Sequence, residues 1–68
     1  MSDQNITMPI QLLTGKEVAQ ILRVSRAYAY RLMKQGSIPT IKIGRTVRVR
    51  YESLLEFIQE NSKYGYND

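Results

Sequence analysis

The chain has 68 residues, ten of them lysine or arginine against six acidic, for a formal charge of +4, and it contains neither cysteine nor histidine. That removes disulfide staples, zinc sites built from those residues, and nucleophile–histidine catalysis together. No apolar run approaches the about 20 residues of a membrane span, and the first residues show no signal-peptide pattern. A single cytoplasmic domain is expected, without membrane contact or cofactor.

The distribution of charge says more than its total. From Arg23 to Arg50 there are eight basic residues and no acidic one; the acids are Asp3, Glu17, Glu52, Glu56, Glu60 and Asp68. A solubilising surface normally mixes the signs, so segregation on this scale points to a polyanionic partner. A domain of this size buries only about 60% of its unfolded surface, so helix caps and a few aliphatic side chains must carry its stability.

In chain order, residues 1–10 (MSDQNITMPI) are polar and aperiodic and read as a tail; the folded domain is expected over 11–62 and a second tail over 63–68. LTGKEVAQIL (13–22) opens with a T-x-x-E capping box, Thr14 to Glu17, with Leu13 and Val18 placed for a hydrophobic staple. Val18, Ile21 and Leu22 share a face, Ala19 lies on the flank, and Lys16, Gln20 and Arg23 point away. The joint Arg23-Val24-Ser25 is so short that it forces a helix-turn-helix, with Val24 as its plug and no glycine to take a left-handed position.

SRAYAYRLMKQG (25–36) reads as the second helix, capped by Ser25 and closed by Gly36. Ala29, Leu32 and Met33 form its apolar side. Ala27, Tyr30, Arg31 and Lys34 form the opposite one, with Arg26 at its N-terminal edge.

SIPTIKIGRTVRVR (37–50) then changes to an alternating pattern, a hairpin with its tip at Gly44-Arg45-Thr46. A three-residue tip pairs Ile43 with Val47 and Ile41 with Val49, which keeps the four apolar side chains on one face and sets Lys42 across from Arg48. YESLLEFIQEN (51–61) returns to helical period, with Leu54, Phe57, Ile58 and Asn61 on one face, Phe57 as the expected aromatic centre of the core, and an acidic face of Glu52, Glu56 and Glu60. Leu55 falls off the apolar stripe, and Tyr64 and Tyr66 are free to dock on a neighbour.

The order and spacing of LLT-x-x-EVA, VSR, YRL-x-x-x-G-x-IP, KIGR and L-x-x-FI, over about Leu12 to Ile58, resemble the excisionase-type, MerR-like winged helix-turn-helix family. The resemblance implies a mainly α fold with a small β-hairpin wing. It places helix 25–35 in the major groove of double-stranded DNA and the wing, 40–50, on minor groove or backbone. On matching positions it implicates Ser25, Arg26, Ala27, Tyr28, Tyr30 and Arg31 in the helix and Arg45, Thr46 and Arg48 in the wing; Ala27 is shorter than the polar residue common there.

Chemistry assigns roles to these positions. Arg26 at the helix start can chelate guanine O6 and N7. Tyr28, Tyr30 and Arg31 suit phosphates or thymine methyls, and Lys34 phosphate alone. Arg45 at the tip suits a narrow A·T-rich minor groove, with Lys42, Arg48 and Arg50 on the backbone. The leading expectation is an excisionase, or recombination directionality factor, that bends DNA for an integrase and self-associates on tandem sites. The alternative is a small transcriptional regulator using the same surface. An interaction module working through Leu55 and the tyrosine tail is a third reading. The sequence offers no phosphate loop or paired catalytic carboxylates for an enzyme, and no aromatic sheet of the kind that stacks unpaired RNA bases.

Overall fold

The computed structural model of the protein describes residues 11–62. The tails expected at 1–10 and 63–68, with Tyr64 and Tyr66, lie outside the described residues. The elements are β1 (Leu12–Leu13), α1 (Gly15–Leu22), α2 (Arg26–Lys34), β2 (Ile41–Ile43), β3 (Thr46–Arg50) and α3 (Tyr51–Asn61). The antiparallel sheet has the order β1-β3-β2. Three helices with a small hairpin-based sheet match the mainly α, winged helix-turn-helix architecture expected from the sequence.

Local chemistry sets the helix boundaries. Thr14, in extended backbone, caps α1: its Oγ1 accepts from the Glu17 N–H at 3.1 Å while its own N–H donates to Glu17 Oε1 at 2.9 Å. Ser25 caps α2 by accepting from the Tyr28 N–H at 3.1 Å. Gly36, at φ +85°, lets the chain leave α2 in the left-handed region, and the Ile38 N–H returns to the Leu32 carbonyl at 3.2 Å. Between the helices, Arg23 takes the position a glycine would ordinarily hold, at φ 60°, ψ 45°, and its N–H closes on the Ala19 carbonyl.

The core is aliphatic. Val18, Ala29, Ile38, Val49 and Leu54 are all fully buried, with Leu13, Ala19, Leu32 and Met33 nearly so. Burying each larger side chain contributes about 1.5–3 kcal/mol. Three expectations are corrected. Phe57 is not the centre: it is only half-buried, beside Ile58, at the rim of a core whose α3 member is Leu54. Ile21 is 44% exposed while Ala19, expected on the flank, is buried, so α1 turns a smaller residue inward than its pattern suggested. Ile38, just before Pro39, is fully buried in the same core, a role that the alternating pattern of 37–50 does not single out.

The hairpin register is the largest correction. Ile41 pairs with Arg48, Lys42 with Val47 and Ile43 with Thr46, around a two-residue loop at Gly44-Arg45. Turn chemistry explains it. Gly44 has φ +62° and Arg45 does not have positive φ, the pattern of a type II′ turn whose twist suits the strands. A three-residue tip would ask its last residue, Thr46, to take the left-handed position, which a β-branched side chain resists.

The outcome splits the apolar set. Val47 and Val49 face the core, where Val49 meets Leu13 across the sheet. Ile41 and Ile43 fall on the other face, Ile43 at 55% exposure. The expected Lys42–Arg48 like-charge pair does not form; the two lie on opposite faces.

Candidate nucleic-acid interface

The second helix presents what its spacing promised. Ala29, Leu32 and Met33 are buried, and Arg26, Ala27, Tyr28, Tyr30, Arg31 and Lys34 are all exposed. Arg31 and Lys34 stand in its last turn, where the helix dipole favours cations. Arg26 is at the first helical position, where the dipole disfavours one by about 0.3–1 kcal/mol. Helix stability therefore accounts for Arg31 and Lys34 but not for Arg26. Ser25 Oγ is used as an acceptor by the cap, which leaves its own proton for an outside acceptor.

Two open grooves flank this helix. One lies between the outer edge of α1 and the start of α2 and is lined by Lys16, Ala19, Gln20, Arg23, Val24 and Arg26. It gathers three cations around the turn between the helices: Lys16 and Arg23, on the polar edge of the first helix, and Arg26 at the start of the second. The i, i+4, i+7 spacing of Lys16, Gln20 and Arg23 was the available signal.

The other groove lies between α2 and the hairpin. Tyr30, Met33 and Lys34 form one side and Thr40, Lys42 and Val47 the other. The two-residue turn brings Lys42 here, since pairing with Val47 puts both side chains on the face turned toward α2. Thr40 was missed, because it precedes the strand and carries no charge.

The remaining wing residues are distributed differently. Arg45 and Thr46 are exposed at and beside the hairpin tip. Arg48 and Arg50 lie on the sheet face opposite Lys42. Arg48 is half-buried, with Nη1 donating to its neighbour's carbonyl, Val47 O, at 2.9 Å. Arg50 makes an exposed ion pair with Glu52 at 3.6 Å. So the structure joins Lys42 to Tyr30 and Lys34, and sets Arg48 and Arg50 apart from them. Of the α3 acids, Glu52 pairs with the wing through Arg50, whereas Glu56 and Glu60 border a third groove with Ser37, Pro39, Ser53, Phe57 and Asn61, on the α3 side. Among the described residues no helix is long and apolar enough to cross a membrane.

Comparison with known proteins agrees with this architecture. The family model described as a helix-turn-helix domain matches residues 12–62. Over 49 residues the chain is 39% identical to "Putative DNA-binding protein Rv0500A" of Mycobacterium tuberculosis, a match covering 72% of this chain and 63% of that protein. Over 48 residues it is 46% identical to "Putative antitoxin VapB50" of the same organism, covering 71% of this chain and 37% of that one. Over 44 residues it is 41% identical to the uncharacterized protein YvgK of Bacillus subtilis, covering 65% and 14%. The chain thus spans less than two thirds of the length of these curated relatives. No solved structure matches it significantly.

Proposed function

The chain belongs to the helix-turn-helix domain family, and from that premise we propose that it binds double-stranded DNA in the cytoplasm, with α2 in the major groove and the hairpin against the adjoining backbone and minor groove. The observation that carries this reading is the groove in which Tyr30 and Lys34 of the second helix stand beside Lys42 of the hairpin. One stretch of phosphate backbone fits between elements that are distant in sequence. Arg26, set against its helix dipole at the start of α2, is the base-reading residue, chelating guanine O6 and N7. Ser25, Ala27, Tyr28 and Arg31 complete the helix contact. Arg45 and Thr46 present the tip to the minor groove, while Arg48 and Arg50, on the far face of the wing, add to the positive field more than to direct contact. The M. tuberculosis relative named for DNA binding supports the same reading.

Among DNA-binding roles, resemblance to the excisionase-type family favours a non-enzymatic architectural one: a recombination directionality factor that assembles on tandem sites and bends DNA for an integrase. A promoter-bound regulator is the outcome to set against it. The test has two stages. Mobility shifts at varied salt should give a log K against log salt slope of about −5 to −6, from neutralising five to seven phosphates. Footprinting on DNA of the host element, with purified integrase, should then show tandem protection and stimulated excision. A slope near zero removes the electrostatic grip; protection confined to a promoter, without effect on excision, assigns the regulator.

A further inference from the structure

Gly15, the first residue of α1, is buried, although glycine is the poorest helix former after proline. Its backbone does not require it, for its φ is not among the positive ones. Space does. A Cβ built there would lie 2.5 Å from Cε1 and Cζ of Tyr30 and 2.8 Å from its hydroxyl oxygen. The far end of the Tyr30 side chain therefore rests directly on the Gly15 backbone and ties α2 to the first turn of α1. Tyr30 is nevertheless 48% exposed, and it borders the groove that also holds Lys34, Thr40 and Lys42.

We propose that Gly15 is a positioning residue for DNA recognition: the missing side chain at 15 seats the Tyr30 ring, so that the ring meets DNA already ordered. This rests on the DNA-binding reading above and deepens it, because Gly15 itself lies beneath the ring rather than on the contact surface. An unseated tyrosine must be ordered during binding, a cost equivalent to about two- to tenfold in affinity. A methyl at 15 displaces the ring, since a contact of 2.5 Å is too close to keep and the far end of a half-exposed tyrosine moves aside at little cost to the fold.

The experiment is a double-mutant cycle of Gly15→Ala and Tyr30→Ala, read on a duplex that the wild-type chain selects from a random pool. Gly15→Ala is expected to lower affinity about two- to tenfold with an unchanged salt slope, because no charge is lost. In the Tyr30→Ala background, where the methyl has room and folding is not in question, it should have no further effect. In the free wild-type protein, nuclear Overhauser contacts between the Gly15 Hα and Tyr30 Hε protons should be present, and Gly15→Ala should abolish the ring-current shifts that accompany them. Equal affinity for Gly15→Ala and wild type, equal losses in both backgrounds, or absence of the Overhauser contact would each overturn the proposal while leaving DNA binding intact. A wild-type chain that selects and retards no duplex overturns the DNA-binding reading, and this inference with it.

Discussion

Arg23→Gly should make the protein more stable and its interface weaker. Arg23 ends α1 at φ 60°, ψ 45°, the only non-glycine residue with positive φ among those described. Holding an L side chain there costs roughly 1–2 kcal/mol through the clash of Cβ with the following carbonyl. Glycine removes that strain but gives back about 0.4–1 kcal/mol through the greater freedom of the unfolded chain. The hydrogen bond from the backbone N–H at 23 to the Ala19 carbonyl survives the change. At the middle of these ranges the net gain is about 0.8 kcal/mol, which for a domain of this size raises Tm by about 3–6 °C. Thermal unfolding followed by circular dichroism, with a urea titration as a check, measures it. The same variant removes a cation from the groove lined by Lys16 and Arg26, so its salt slope on DNA should shrink by about 0.9. If Arg23→Gly melts at or below the wild-type temperature, the strain assigned to this turn is wrong.

Arg26→Ala should relax preference between DNA sites and cost about 1–3 kcal/mol at the preferred one, whereas Lys34→Ala should weaken all sites alike; parallel losses on specific and competitor DNA for both would remove the base-reading role. Lys42→Glu should reduce affinity more than Arg48→Glu, because only Lys42 shares the groove with Tyr30 and Lys34; equal losses in a mobility shift would argue against contact at that groove. Thr14→Ala removes the half of the capping box in which the Thr14 hydroxyl accepts from the Glu17 N–H, keeps the backbone N–H that donates to Glu17, and should cost about 1 kcal/mol in urea unfolding, leaving the unfolding slope m unchanged. Leu54→Ala, at a fully buried site, should cost about 2–5 kcal/mol, enough to leave so small a domain largely unfolded when warmed; a melt within a degree or two of wild type would contradict the core described above.

The parts of this fold that could be read from the chain are those where one local rule acts alone. The Thr14–Glu17 box, the Ser25 cap and the Gly36 exit each depend on a few adjacent atoms, and all three formed as their sequence spelled them. The buried side of α2 followed from helical spacing for the same reason. Errors arose where two rules competed. In the hairpin, matching apolar side chains favoured a three-residue tip, while the backbone preference of Gly44 favoured a two-residue one, and the turn prevailed. A sheet with its core face filled by Leu13, Val47 and Val49 leaves Ile43 outside. Phe57 and Ile38 were misjudged because burial depends on what packs opposite, which periodicity does not encode. The groove beside α2 was legible only on the helix side: Tyr30 and Lys34 follow from spacing, but Lys42 joins them through the register alone.

Three local choices in this chain run against the preferences of their own elements. Arg23 occupies a left-handed turn position, Arg26 opposes the dipole of its helix, and Gly15 weakens the first turn of α1. Scattered through a structure, such choices would be unrelated blemishes. Here they converge. Arg23 and Arg26 line one groove, and the ring resting on Gly15 borders the other, on the two flanks of the second helix. By contrast, Ile38, Val49 and Leu54 of the core break no such rule, and Glu56 and Glu60 of α3 line a separate groove. Local inconsistency gathered along the borders of one cationic helix is what a sequence accumulates when contact with an external partner, rather than folding, decides those positions. It supports the proposed placement of the DNA-contacting surface on α2 and its flanks on grounds independent of net charge, because two of the three concern backbone and shape rather than the number of lysines and arginines.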